Sequence, residues 1–144
     1  MSVSRRKERE TVFEMLFAME FSPAPTPQEE YEIYFENSDG KDAEALKSSD
    51  YVRDTFFGAA ALSEKTEELL NECAIGWKRD RISKVSLAII KLAAYELSPE
   101  SGISENIAIN EAVELSKKYD DEKVSAFVNA VLGKIAKAMK ADDE

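Results

Sequence analysis

Apolar residues recur every three or four positions along most of this chain, which is the spacing of one face of an α-helix. Near the amino terminus the stripe consists of Val12, Phe13, Leu16 and Phe17, and it predicts a helix from about Ser4 to Phe21. Similar stripes predict six more helices, at about 27–37, from Ser48 or Ser49 onwards, from Ser63 to about Ile75, at 82–97, at Ile107–Tyr119, and from Asp120 or Asp121 to about 140. The sequence shows no strand-like alternation, so we predict an all-α fold, a compact bundle of about seven helices.

Capping and helix-breaking residues mark where several of these helices begin and end. Three prolines within residues 22–27 stop the first helix, because proline cannot donate the helical hydrogen bond. Thr26 can cap the second helix, with Pro27 at its first position. Gly76 is suited to end the helix that begins at Ser63.

The segment 82–97 is predicted to lie at the centre of the fold. Its apolar residues occupy two faces of the helix instead of one, so we expect it to be packed on several sides. Just before it, Gly76–Arg81 is the predicted seam between two subdomains, at about 1–76 and 77–140. Residues 141–144 are expected to form a disordered tail.

The composition excludes several classes of active site. The chain has 144 residues and a formal net charge of -10, with no histidine and a single cysteine, Cys73. A zinc site of the usual kind needs Cys/His clusters, and the commonest general base is missing. No glycine-rich phosphate loop of either common type is present. We therefore interpret the chain as a binding protein and not an enzyme, without catalytic residues, metal or cofactor, and we expect Cys73 to be a small buried residue.

The amino-terminal residues do not resemble a targeting segment. Residues 1–20 carry charges throughout, so no signal peptide is visible, and no apolar run in the sequence is long enough to span a membrane. A single cysteine cannot form an intrachain disulfide, which fits a reducing compartment. These features predict a cytoplasmic protein that is not bound to a membrane.

A run of basic residues opens a chain that is acidic overall: Arg5, Arg6, Lys7 and Arg9. The run stands at the start of a predicted helix, where the helix dipole disfavours each cation by about 0.3–1 kcal/mol. Arginines beside the unpaired N–H groups of a helix start suit a phosphate, whereas a solvated, frayed terminus is the simpler alternative. Residues 77–91 and 123–140 are also basic, and such local patches can bind RNA despite the net charge.

Four motifs of the sequence resemble those of the NusB family. In chain order they are Arg5–Glu10 with Leu16-Phe17, Gly76-Trp77 with Arg81-Ile82 followed by Ala88–Leu97, Ile109–Lys117, and Phe127–Leu132. One such motif is only moderately specific. All four motifs occur in the right order and spacing, and the match spans nearly the whole chain. The chain therefore resembles this family.

The resemblance implies a two-subdomain helical bundle and a role in transcription antitermination. In the family, NusB pairs with NusE, which is also a small-subunit ribosomal protein, and together they bind the single-stranded boxA element of nascent RNA. That complex joins RNA polymerase and other Nus factors, notably on ribosomal RNA operons. The implied partners are therefore boxA-like single-stranded RNA, NusE and the RNA polymerase antitermination complex. A self-associating form, a homodimer that hides its RNA surface, stays open.

The resemblance also implies which residues bind these partners. The resemblance assigns these residues to the RNA site: Arg5, Arg6, Arg9, Phe17, Phe127 and Asn129. Phe17 matches an aromatic position near the RNA surface, and Asn129 either contacts the RNA or caps or bridges backbone groups near that site. The arginines would meet phosphates, and an aromatic ring would stack under an unpaired base. Phe127 also lies on the apolar stripe of its helix, so it belongs to the core or to the RNA contact. Ser86 and Lys91 occupy positions near the NusE-facing surface, where the family commonly has an acid and an arginine.

A different class of function has support in the same sequence. The net charge of -10 and the acidic stretch at residues 28–50 favour a helical protein-interaction module that binds no RNA. A gel shift with a boxA-like strand and a shuffled control distinguishes the two hypotheses.

Overall fold

The computed structural model describes residues 3–21, 26–74 and 82–143, and within these ranges every regular element is helical. The elements are α1 (Arg5–Phe21), α2 (Pro27–Glu36), α3 (Ala43–Lys47), α4 (Asp50–Ala61), α5 (Ser63–Cys73), α6 (Lys84–Leu97), a short 3₁₀ turn (Pro99–Ser101), α7 (Glu105–Tyr119) and α8 (Glu122–Asp143). The all-α prediction is confirmed, with eight α-helices in the described ranges where about seven were predicted. In that part of the chain no helix is both long and apolar enough to cross a membrane.

Side-chain caps begin several of the helices at or close to the predicted residues. The hydroxyl of Ser4 accepts a hydrogen bond from the Lys7 N–H at 3.1 Å at the start of α1. At the start of α2, Thr26 accepts from the Glu29 N–H at 3.2 Å. Ser49, Ser83 and Ser104 cap α4, α6 and α7 in the same way. Such caps satisfy N–H groups that the helix itself leaves unpaired, and they depend on local sequence alone.

Several helix boundaries differ from the sequence prediction. Helix α3 was not predicted, and α5 ends at Cys73, before the expected Ile75. A disordered tail was expected at 141–144, whereas α8 continues to Asp143, and residue 144 lies outside the described residues. Lys140 Nζ lies 2.9 Å from Glu105 Oε1, and Met139 packs against the core, so the last turns of α8 are held to α7. The predicted seam at Gly76–Arg81 lies outside the described residues, and the division into subdomains stays a prediction.

Helix α6 is the centre of the fold, as predicted. It contacts α1, α4, α5, α7 and α8, and most of its residues are buried. A single apolar cluster joins residues of the first five helices to residues of the last three. Because α6 is buried on all sides, the polar groups that it carries must find partners inside the protein.

One close approach between α4 and α6 requires a glycine. A Cβ at Gly58 would stand 2.1 Å from Cε1 of Tyr95, far inside van der Waals contact. Gly58 therefore lets the ring of Tyr95 lie directly against the backbone of α4.

Candidate nucleic-acid interface

The first turn of α1 presents three cations to solvent. Arg5, Arg6 and Lys7 are exposed, and the side chains of the two arginines retain 53% and 69% of their accessible surface. They surround the positive end of the helix dipole. This cluster concentrates positive charge on a chain that is negative overall, which is the electrostatic requirement for binding a phosphate backbone.

Arg9 has a different environment from the other arginines of the run. Its side chain is only 5% exposed and it donates two hydrogen bonds from Nε and one from Nη2 to the carboxylate of Glu96, at 2.9–3.1 Å. Burial by itself would lower the pKa of Arg9, but the hydrogen bonds and charge of Glu96 raise it above the ordinary arginine value. Arg9 is therefore a permanently charged buried group whose Nε and Nη2 donors are directed into the protein, although the sequence grouped it with Arg5 and Arg6.

Glu96 and Tyr51 complete this buried network. Glu96 lies on α6 with its side chain fully buried, and the Tyr51 hydroxyl on α4 donates to Glu96 Oε2 at 3.0 Å. Burial and the negative charge of Glu96 raise the pKa of Tyr51, so its hydroxyl keeps its proton. The network ties α1, α4 and α6 together directly behind the exposed cations of α1.

A cleft of about 210 Å³ separates α1 from α7. Its lining is mostly charged: Arg6, Arg9, Glu10, Glu111, Glu114, Leu115 and Lys118. Arg6 Nε lies 3.3 Å from both oxygens of Glu111, and Arg9 Nη1 lies 3.8 Å from one of them. Lys118 Nζ donates to Glu10 Oε1 at 2.7 Å.

The cations of the cleft are thus paired with carboxylates across it. Burial tends to raise the pKa of Glu10, but hydrogen bonds from Lys118 and Tyr119 lower it below the ordinary value, so Glu10 is ionised at neutral pH. A phosphate that approaches Arg6 must compete with the Glu111 carboxylate. Arg5 and Lys7 lie outside the cleft and do not share that competitor.

Phe17 lies on the same side of α1 as Arg6. Eleven residues separate them, which is about three helical turns or roughly 16 Å. The Phe17 ring is half-buried, stacks on Phe13 at 5.8 Å and meets Phe21 edge-on at 4.9 Å. A half-exposed ring in this position can present a face to an unpaired base.

Phe127 and Asn129 are placed on different sides of α8. The ring of Phe127 is 7% exposed and belongs to the apolar core cluster, whereas Asn129 is exposed. Two residues along a helix point about 200° apart, so these side chains cannot share one binding face. The structure therefore favours the core role for Phe127, which the sequence had left open.

The predicted partner-binding residues Ser86 and Lys91 are both buried. Ser86 is 1% exposed, and its hydroxyl lies 3.4 Å from an oxygen of Asp120. Lys91 is 8% exposed, and its ammonium group pairs with Glu20 on α1. Their side chains hold α6 to α1 and to the end of α7, and they do not form the outer surface of the protein.

The sequence analysis did not identify Glu111 and Lys118, which line the cleft opposite α1, or Tyr51 and Glu96, which form the buried network with Arg9. Glu111 and Lys118 are seven residues apart and so lie on one face of α7, a periodicity that could have paired them with the opposite face of α1. For Tyr51 and Glu96 no local signal exists, because their partners are far away along the chain.

Comparison with known protein families identifies the family of this chain. Residues 6–137 match the NusB family. The chain belongs to the NusB family. It is 38% identical to the transcription antitermination protein NusB of Agathobacter rectalis, over 93% of this chain and 100% of that protein. It is also 34% identical to the NusB of Clostridium perfringens strain SM101, over 96% and 100%.

Solved structures of the NusB family have the same fold. NusB of T. maritima matches 95% of this chain with 93% of its own, at a TM-score of 0.73 and 33% identity. A chain from a structure of antitermination factors NusB and NusE in complex with double-stranded RNA matches with a TM-score of 0.70 and 28% identity, over 93% and 96%. Membership of a family of antitermination proteins agrees with the interpretation that the chain is not an enzyme.

Proposed function

We propose that this protein is an RNA-binding transcription antitermination factor that pairs with NusE and binds boxA-like single-stranded RNA on nascent ribosomal transcripts. Membership of the NusB family supports the antitermination role. The observation that carries the RNA-binding part is the exposed cation cluster at the start of α1, formed by Arg5, Arg6 and Lys7. The protein acts by assembly, without making or breaking a covalent bond.

Phosphates bind at the exposed start of α1, and the buried network behind it keeps that helix in place. Arg5 and Arg6 supply planar donors that suit a phosphate, and Lys7 adds a mobile charge. Arg9 contributes indirectly, because its guanidinium holds α1 against α6 through Glu96. Contact between a phosphate and Nε or Nη2 of Arg9 would require this ion pair to open.

Base contacts are assigned to the residues that reach solvent. The half-exposed ring of Phe17 is available for stacking, and exposed Asn129 can hydrogen-bond to a base edge. Phe127 supports the α8 side of the site from within the core. In the same way, Ser86 and Lys91 affect a NusE surface only through the position of α6.

The salt dependence of RNA affinity tests the assignment of the phosphate site. If Arg5, Arg6 and Lys7 neutralise three phosphates, log affinity should fall against log salt with a slope of about -2 for a single strand. The double variant Arg5→Ala/Arg6→Ala should reduce that slope to about -0.7. Arg53→Ala removes an exposed arginine from α4 and is the matched control. An unchanged slope in the double variant would exclude the start of α1 as the phosphate site.

A gel shift separates this function from the rival one. A boxA-like strand and a shuffled strand are each titrated with the protein, with and without NusE. Preference for the boxA-like strand, strengthened by NusE, supports the proposal. Absence of preference in both conditions supports a protein-interaction module without RNA binding. Light scattering over a range of concentrations tests whether a homodimer competes with the RNA complex.

A further inference from the structure

The ring of Tyr51 lies beneath the Arg5 guanidinium. The guanidinium carbon of Arg5 stands 4.1 Å from the centroid of the ring, on its face, which is the geometry of a cation–π contact. Tyr51 belongs to α4, 46 positions along the chain from Arg5, so this contact is tertiary. Sequence analysis and the family resemblance did not single out Tyr51.

A second contact holds the same guanidinium from the side. Arg5 Nε donates to Glu8 Oε1 at 3.1 Å, and the other oxygen of Glu8 accepts a hydrogen bond from the Ser49 hydroxyl. Ser49 is also the cap of α4. Arg5 is thus held by the beginning of α4 from two directions, although its side chain is 53% exposed.

We propose that Tyr51 is a positioning residue of the RNA site, whose ring holds the Arg5 guanidinium so that its outer edge meets a phosphate of single-stranded RNA. This inference rests on the function proposed above. Stacking occupies the face of a guanidinium and leaves the N–H groups of its edge available. Within the described residues, the side-chain hydrogen bond of Arg5 is made by Nε, and its two terminal nitrogens make none. They are the donors that remain for a phosphate.

The ring of Tyr51 is itself held in place. Its hydroxyl donates to Glu96 at 3.0 Å, and Glu96 is fixed by three hydrogen bonds from Arg9. The platform under Arg5 is therefore anchored to the buried network that joins α1, α4 and α6. A guanidinium that is already ordered loses less conformational freedom when it binds.

Arg6 provides the internal comparison. It is 69% exposed and pairs through Nε with the carboxylate of Glu111 across the cleft, which competes with a phosphate for this guanidinium. Arg5 also pairs through Nε with a carboxylate, that of Glu8, but its face is held in addition by the uncharged ring of Tyr51, which does not compete for the phosphate. Of the two exposed arginines, Arg5 is the one that the fold prepares in advance.

The test measures RNA affinity by fluorescence anisotropy with a labelled boxA-like single strand and the full chain. Tyr51→Phe keeps the ring but loses the hydrogen bond to Glu96 that anchors it, so its affinity should lie between those of the wild type and Tyr51→Leu. Tyr51→Leu removes the ring and should weaken binding by about two- to fivefold, the range for an exposed cation–π contact. In an Arg5→Ala background, Tyr51→Leu should have no further effect, because Tyr51 acts through Arg5. Equal weakening in both backgrounds would overturn the inference.

A second comparison does not depend on Tyr51→Leu folding. Pentafluorophenylalanine at position 51 has nearly the shape of phenylalanine but a ring face that no longer attracts cations. It should bind RNA about two- to fivefold more weakly than Tyr51→Phe. Equal affinity of these two proteins overturns the positioning role. If the wild type does not bind RNA, both the proposed function and this inference are overturned. If the wild type binds RNA and the substitutions at position 51 have no effect, only the inference is overturned.

Discussion

Replacing Arg9 by methionine should destabilise the protein severely, because it leaves the Glu96 carboxylate buried without its counterion. The side chains of Arg9 and Glu96 are 5% and 0% exposed. Three hydrogen bonds of 2.9–3.1 Å join them, so this is a well-formed bidentate pair. In the variant, the Tyr51 hydroxyl remains as a donor to Glu96.

The expected loss follows from the burial of the pair. Removing one partner of a buried ion pair costs about 3–5 kcal/mol. The remaining Tyr51 hydrogen bond places our expectation near the lower end, at about 3 kcal/mol. A small domain has about 5–15 kcal/mol of stability in total, so the variant should lose a large share of it.

Urea unfolding followed by circular dichroism measures this loss. The double variant Arg9→Met/Glu96→Leu should recover most of the stability, because an apolar pair of similar volume needs no desolvated charge. Arg53→Ala breaks an exposed arginine–aspartate pair and should change the unfolding free energy little. An Arg9→Met variant as stable as the wild type, or a double variant less stable than Arg9→Met, would refute the reasoning.

Three further predictions concern the cleft and the packing of the helices. Glu111→Gln should tighten RNA binding by up to about fivefold in anisotropy titrations, because it removes the carboxylate that competes for Arg6. Glu114→Gln makes the same charge change on the same helix and is the control. An equal effect of the two variants would contradict the prediction. Glu10 has a pKa below the ordinary value of 4.5, so its stabilising contribution is present above that pH and is lost as the pH falls through the folded-state pKa. The gap in unfolding free energy between wild type and Glu10→Gln should therefore shrink on acidification, and a gap that widens would contradict this. Gly58→Ala should cost about 1–3 kcal/mol in thermal unfolding, because the new methyl overlaps an aromatic ring. Gly133→Ala should instead raise the unfolding free energy by up to about 1 kcal/mol, because a Cβ at Gly133 meets nothing within 4 Å. If both variants changed the unfolding free energy in the same direction, the overlap at Gly58 would be unimportant.

Much of the helical architecture could be predicted from local sequence. Helix starts at Thr26, Ser49 and Ser104 are defined by side chains that bond to N–H groups three residues away, so neighbouring residues suffice. The two apolar faces of 82–97 predicted a central helix, because hydrophobic surface on both sides must be covered. The unpredicted α3 is only five residues long, too short to show a helical period.

The sites of individual polar residues were less predictable. Ser86 and Lys91 are polar residues within a buried helix, and partners far away along the chain make that burial tolerable: Asp120, which follows α7, and Glu20 on α1. Phe127 fitted both a core and a surface role, and the packing of α8 placed it in the core.

The basic run shows most clearly where local sequence and tertiary structure divide. The sequence by itself determined that four cations stand at the start of a helix and that the chain resembles an RNA-binding family. Arg5 and Arg9, four residues apart, share a face of α1, so helical periodicity cannot separate their roles. Only the tertiary structure did so: Glu96, 87 positions away, draws Arg9 into the core, while the ring of Tyr51 holds Arg5 at the surface. A buried charge needs a partner and an exposed one does not, and that partner comes from another part of the fold.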